Sequence, residues 1–378
     1  MKQQDFGYRA AVFAGLHASV FTFSLHIQST VRFLSWVGIF LMVARDPDLQ
    51  AQSYVDQGLD ASDEGNPALA LQYLDQALIL DPNHAQAWYC KASLLAETGQ
   101  FEEAIECYHK SAERAEDHAH LPLFNMGNLY QELQKYDQAL ACFSLATEVN
   151  PDMADAWINR GRLLDERAHH LEAIDCYDQA VTLNPLDLTA WTNRGNSYVA
   201  LRKIPEAQRS YQKALDIDDS DALAQLGAAV CIARLGEWER GLEMMDQIDE
   251  LRTSPLWMME RAQILVHLER WSEAVNLVNQ AVEAAPDFPE SWSMHGNILE
   301  LAGEYDQALA SFKKALEYDS RHAAAWWGQV RMLARDEVNE AVVASLKSFF
   351  DCAGNDHEDY DAALKFAEKH GIPISGAS

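Results

Sequence analysis

Three asparagines, Asn125, Asn159 and Asn193, follow one another at intervals of 34 residues, with Asn128, Arg162 and Asn196 each three residues downstream and a further Asn297 beyond. A carboxamide offers one acceptor oxygen and two N–H donors, which matches the alternating C=O and N–H of an extended peptide. A ladder of such groups holds backbone without reading side chains. Tyr89 and Phe124 supply ring faces beside it, and an exposed aromatic such as Phe124 usually has a partner to meet. Asp165 and Glu166 add acidic contacts for a basic segment. These residues form the candidate binding set.

Other chemistry is poorly represented. The sequence holds no Gly-rich phosphate loop, no H-E-x-x-H and no G-x-S-x-G, so no catalytic residue and no cofactor are assigned. A cryptic transferase or hydrolase is the remote alternative, because no nucleophile and base pair is visible. His118, His120, His169 and His170 fall in turns with no carboxylate or thiol at ligand spacing and read as solvated, so no metal site is expected. Among the six cysteines no C-x-x-C occurs, and Cys107, Cys142 and Cys176 take the same place in three successive segments. Equivalent positions of stacked elements lie beyond the ~7 Å Cα separation that a disulfide allows. The cysteines read as reduced packing residues in a cytoplasm-like compartment.

The elements that carry these side chains repeat. From Pro151 to Pro185, Trp157 to Trp191, Gly161 to Gly195, Ala173 to Ala207 and Tyr177 to Tyr211 the step is 34 residues each time. Copies lie at 51–84, 85–118, 120–153, 154–187, 188–221, 222–254, 255–288 and 289–322, with a weaker ninth at 323–356 and a capping helix and tail at 357–378. Position 4 is aromatic at Tyr54, Trp88, Trp157, Trp191, Trp292 and Trp326, where a ring can fill the gap between two helices. Position 8 is Gly58, Gly127, Gly161, Gly195 or Gly296 and position 20 is Ala70, Ala104, Ala139, Ala173, Ala207, Ala274 or Ala308. Repeated Gly inside a helix costs about 1 kcal/mol each against Ala, so the helices must approach too closely for a Cβ. Pro82, Pro151, Pro185 and Pro286 end the second helix of their copies. No strand pattern competes.

A 34-residue period with aromatic, small, small and Pro landmarks resembles the tetratricopeptide repeat family. The resemblance implies an all-α right-handed superhelix of tandem hairpins, used as a protein-binding scaffold. Positions 2, 5, 6, 9 and 13 project away from the packed face formed by 4, 7, 8 and 11, and in the family that other face lines a concave groove. The asparagine series is similar to the ladder in the repeat superhelix of the O-linked N-acetylglucosamine transferases, over three rungs. The family's carboxylate clamp for acidic tails needs Lys or Arg at positions 2, 5 and 6. Here those slots hold Gln86, Tyr89, Cys90, Leu121, Phe124, Asp155 and Ile158, so the clamp is missing. Leu226, Val230, Met259 and Met294 make a more apolar stretch that could grip an apolar segment or bury itself.

Two regions depart from the rhythm. The copy at 222–254 is one residue short, carries Gly241 where Ala is usual and Ala229 in the Gly slot, and is followed by Ser254-Pro255; a change of pitch near 250 is expected. The N-terminal segment, 1–45, differs in composition, with 22 uncharged residues from Ala10 to Val31. That length suffices to span a bilayer, although His17, His26 and Gln28 dilute it. A membrane anchor at 10–44, a helix packed on the first repeat, and a non-native extension upstream of Met42 all remain open.

Formal charge is −29, from 29 basic and 58 acidic side chains. Such a field repels nucleic acid and favours basic protein segments. The sequence therefore points to a non-enzymatic adaptor of cytoplasmic type, whose partners are other proteins or peptides, extended and basic.

Overall fold

Several helices begin where a side chain caps them. Asp187 and Asp221 accept the backbone N–H of Ala190 and Ala224 at 2.8 and 2.7 Å, and Asn66 caps a second helix through Leu69, satisfying donors that a helix start leaves open. The computed structural model describes residues 46–354, 357 and 359–373. Within these residues every regular element is helical, with nineteen α-helices, one short 3-10 turn and no strand. The expectations for residues 10–44 lie outside the described residues. No helix among the described residues is long and apolar enough to cross a membrane.

The chain divides into two compact units, up to Leu163 and from Leu164 onward. Unit 1 stacks the hairpins Pro47–Asp63 with Pro67–Leu80, Ala85–Glu97 with Phe101–Ala112, and His120–Glu132 with Tyr136–Val149. The division falls inside the helix Ala154–Asp165. Unit 2 continues with His170–Leu183, then the hairpins Leu188–Ala200 with Ile204–Ile217, Ala222–Arg234 with Trp238–Asp246, Pro255–His267 with Trp271–Ala284, Pro289–Ala302 with Tyr305–Tyr318, and Ala323–Leu333 with Glu340–Cys352. The last helix, Tyr360–His370, buries Ala363 and Ala367 in a cluster with Val342, Leu346 and Phe349. The first helix starts four residues before the first copy's boundary at 51, because Asp46 and Pro47 form a cap and first-turn pair.

The small landmarks have a physical cause. Alanines 70, 104, 139, 173, 207, 274 and 308 are wholly buried, so each hairpin closes on a residue that no larger side chain could replace without overpacking. A Cβ on Gly127 would lie 2.7 Å from the Phe143 ring, and one on Gly195 2.7 Å from the Tyr211 ring. The ring is also met from the next repeat: Gly227 would place a Cβ 2.4 Å from Tyr211, and Gly328 one 2.3 Å from Phe312. One aromatic thus sits between two glycines of consecutive hairpins.

Position 4 does more than fill a gap. The indole N–H of Trp88, Trp157, Trp191 and Trp292 donates to the carbonyl of Pro82, Pro151, Pro185 and Pro286 at 2.7 to 3.0 Å, and Trp326 to Ser320 at 2.9 Å. The ring that packs the helix pair also ties the turn preceding it.

Within each of the first eight hairpins the turn closes alike. Asn66, Gln100, Lys135, His169, Lys203, Glu237, Arg270 and Glu304 each donate their backbone N–H to a carbonyl five residues back, at 2.7 to 3.2 Å, which forces a left-handed residue just before them. Four of those are not glycine: Gln134, Ala168, Arg202 and Glu269, with φ of 56 to 59°.

The irregular copy is visible as a second helix of nine residues, Trp238–Asp246, where its counterparts have 12 to 14. Trp257, one place earlier than the usual aromatic, is buried and donates to Met245 O at 3.3 Å. Arg261 pairs with Asp246 across the same junction.

Candidate functional site

The candidate residues of unit 1 lie on the first helices and are linked across repeats. Asn125 Nδ2 donates to the Tyr89 hydroxyl at 2.9 Å, and Asn159 Nδ2 donates to Asn128 Oδ1 at 3.1 Å. All four are half-buried. Tyr89 packs edge-on to Tyr108 at 5.6 Å between ring centres. Each amide bond consumes part of a carboxamide's capacity and leaves the rest to a ligand. Next to Tyr89 lies a cavity of about 480 Å³ lined by Gln86, Arg114, His118, Leu121 and Pro122 among others.

Phe124 departs from its expected exposure. It is half-buried against Phe143, 5.7 Å between ring centres, and joins the core beneath. The ring at position 24 that excludes a Cβ from Gly127 draws Phe124 down onto itself. Arg162 is exposed near the end of its helix.

Asp165 is not free to meet a basic ligand. Its carboxylate accepts from Ser197 Oγ at 2.6 Å and the Tyr177 hydroxyl at 3.1 Å, and lies 2.9 Å from His170 Nδ1. His170 is therefore a paired residue at a helix start and not a solvated turn histidine. The spacing of five residues spans the helix-to-helix turn, which brings the two side chains together as the turn tightens.

In unit 2, Asn193 is half-buried and Asn196 exposed. Asn196 Oδ1 accepts the Tyr211 hydroxyl at 2.6 Å. Asn297 Oδ1 accepts from Arg331 at 2.8 Å, and the same guanidinium grips both Glu300 oxygens at 2.8 to 3.1 Å. Leu226, Val230 and Met259 are buried in the core, so that apolar stretch is largely spent on packing; Met294 stays half-buried and accepts from Gln263 through sulfur.

None of the six cysteines is in a disulfide. Burial pushes the Cys142 thiol up to about 11 and Cys231 up to about 12, which keeps both protonated and inert at neutral pH. No cluster of three or more His, Cys, Asp or Glu suited to a metal occurs among the described residues.

Helical hairpins at this period, with this glycine and tryptophan geometry, match known proteins. One model described as Tetratricopeptide repeat matches residues 83–151, and a second of the same description matches 124–187, 192–255, 259–313 and 293–344, more than half of the chain. The chain belongs to the tetratricopeptide repeat family.

Within that family it is 31% identical over 109 residues to a TPR repeat-containing protein of Methanocaldococcus jannaschii, covering 29% of this chain and 34% of the relative. It is 28% identical over 104 residues to the anaphase-promoting complex subunit CDC27 of Saccharomyces cerevisiae, covering 25% of this chain and 14% of that one. The chain thus spans about a third or less of these two curated relatives. A crystal structure of a tetratricopeptide repeat protein from Parabacteroides merdae superposes with a TM-score of 0.53 at 17% identity, over 75% of this chain and 99% of that one. That likeness is one of fold. The tetratricopeptide repeat assignment accounts for the all-α hairpin architecture, and the family serves as protein-binding scaffolds.

Proposed function

We propose that this protein is a non-enzymatic adaptor that holds extended segments of other proteins against the first helices of its repeats, with a basic segment favoured on unit 1. The observation that carries the reading is the cross-repeat amide set: Asn125 bonded to Tyr89, and Asn159 to Asn128. These bonds orient the carboxamides in advance, so a ligand finds donors and acceptors already placed and association costs less ordering. Asp63, Glu97 and Glu132, exposed at the ends of the three first helices of unit 1, support a basic ligand there, as does the net charge of −29.

The test is replacement of Asn125, Asn159 and Asn193 by Ala in the full chain, followed by pull-down and affinity measurement. Weakened capture at unchanged helical content supports the reading; unchanged partners and affinities end it. A basic ligand must also bind more weakly as ionic strength rises.

The uncharged run from Ala10 to Val31 supports a second reading, a membrane-tethered assembly factor. Fractionation of the full chain beside a version begun at Met42 separates the two, and identical partitioning removes the tether.

A further inference from the structure

The junction between the second and third copies lacks a tie that most of the others have. Trp88, Trp157, Trp191, Trp292 and Trp326, at position 4, each hold the turn before their helix, and Gln225 stands in for tryptophan by donating from Nε2 to Asp219 O at 2.7 Å. The third copy has Leu123 in that place, a side chain with no donor. One extra residue, Ala119, also separates the two copies. The preceding helix, Phe101–Ala112, stops at 12 residues where Tyr136–Val149 and His170–Leu183 run to 14, and the 3-10 turn Glu116–His118 fills the join.

The cavity of about 480 Å³ beside Tyr89 opens at this join. Gln86, Tyr89 and Leu121 line it from positions 2 and 5, the slots that turn away from the packed face. Gln86 is exposed, and so is Leu121. The cavity is continuous with the amide set, since the Tyr89 hydroxyl accepts from Asn125. Among its described lining residues only Arg114 carries a fixed charge, and that guanidinium is already engaged with Lys110 O at 2.7 Å, Glu113 Oε2 at 3.1 Å and Asn83 Oδ1 at 3.3 Å. Ser111 Oγ is likewise spent on Ala85 O at 3.0 Å. What remains for an occupant is apolar surface from Ala115, Leu121 and Pro122 and the rings of Tyr89 and His118. An uncharged aromatic group packs well on such a lining, whereas a charged one would lose water there without gaining a partner. The volume is that of pockets which enclose organic groups.

We propose that this cavity takes one uncharged aromatic side chain of the extended segment held on unit 1. The ring enters beside Leu121 and Tyr89, the Tyr89 hydroxyl donates its own proton to a neighbouring backbone carbonyl, and the Asn125 carboxamide oxygen accepts a backbone N–H. The site rests on the scaffold reading and deepens it: amides alone hold backbone in any register, and the aromatic pocket selects one.

Panning the full-length chain against a phage-displayed random peptide library tests this. Enriched peptides are expected to share a Phe, Tyr or Trp at one place. In a fluorescein-labelled synthetic peptide of that consensus, replacing the aromatic by Ala should cost roughly tenfold or more in affinity, a change that leaves the protein itself untouched. Gln86→Trp, which fills the cavity from an exposed position, and Leu121→Ser, which strips an exposed part of its wall, should each weaken the aromatic peptide and leave its Ala counterpart unaltered. Asn159→Ala, in a residue that does not line the cavity, should weaken both peptides alike and so reads the scaffold proposal separately. Peptides enriched without a shared aromatic overturn the pocket, as does an aromatic peptide that neither cavity variant weakens, even where Asn159→Ala shows the amide set at work. Failure to enrich any peptide counts against the scaffold reading and the pocket together.

Discussion

The Tyr211 hydroxyl donates to Asn196 Oδ1 at 2.6 Å, so a core ring decides which end of an exposed carboxamide faces outward. Burial pushes the Tyr211 phenol well up, and it remains a donor throughout the physiological range. In Tyr211→Phe the ring keeps its place between Gly195 and Gly227 while the amide loses its orientation. The expected cost is about 1 kcal/mol of stability, read as a shift in urea midpoint.

Gly227→Ala and Gly328→Ala should destabilise, against the usual sign. In an open helix the change to Ala gains about 1 kcal/mol. Here the new Cβ would lie 2.4 Å from the Tyr211 ring or 2.3 Å from the Phe312 ring, and overpacking of this kind costs about 1–3 kcal/mol. Gly58→Ala meets the Leu74 side chain at 3.0 Å, which has more freedom to move, and Ala70 O at an ordinary 3.4 Å. Its denaturation midpoint should change less than those of the other two.

Ala168→Gly should stabilise. Ala168 sits at φ 59°, where a Cβ is strained and glycine is not, and relief of about 0.5–1 kcal/mol is expected after the larger backbone entropy of glycine is subtracted. The reverse change, Gly99→Ala at φ 77°, should lower the midpoint by a comparable amount. Thermal or urea unfolding of the two variants checks both signs.

Acid should weaken unit 2. His295 is buried between Ser311 Oγ on Nδ1 and Asn279 Oδ1 on Nε2, at 2.9 and 2.8 Å, and burial holds its pKa below the ordinary 6.5. Burial lowers His322 as well. The unfolded chain therefore binds more protons than the folded one as pH falls below about 6.5, and stability declines over that window. Comparing urea midpoints at about pH 7.5 and about pH 5.5 measures the loss. His295→Asn should reduce the slope between them.

The hairpin plan was legible because its landmarks are steric. Gly127 and Gly195 are glycines because Phe143 and Tyr211 leave no room, and that exclusion is written into residue type at each step of the repeat. Trp257 escaped the pattern, since a shortened helix moved the aromatic by one place and exchanged a proline carbonyl for Met245 O. Asp165 looked like a groove carboxylate, yet Ser197, Tyr177 and His170 converge on it, and convergence from the next two helices leaves little local spacing to read. Phe124 looked exposed because position 5 faces outward, whereas its ring folds back onto Phe143.

Because Tyr211 is gripped by Gly195 of its own hairpin and Gly227 of the following one, and Phe312 likewise by Gly296 and Gly328, neither hairpin can melt without stripping a face from its neighbour's ring. Coupling of this kind lies at the junctions between repeats and gives a one-dimensional stack a nearest-neighbour term. Unfolding that starts at one hairpin must then run through the adjoining one, so these parts of unit 2 are expected to denature as a cooperative block instead of unravelling helix by helix.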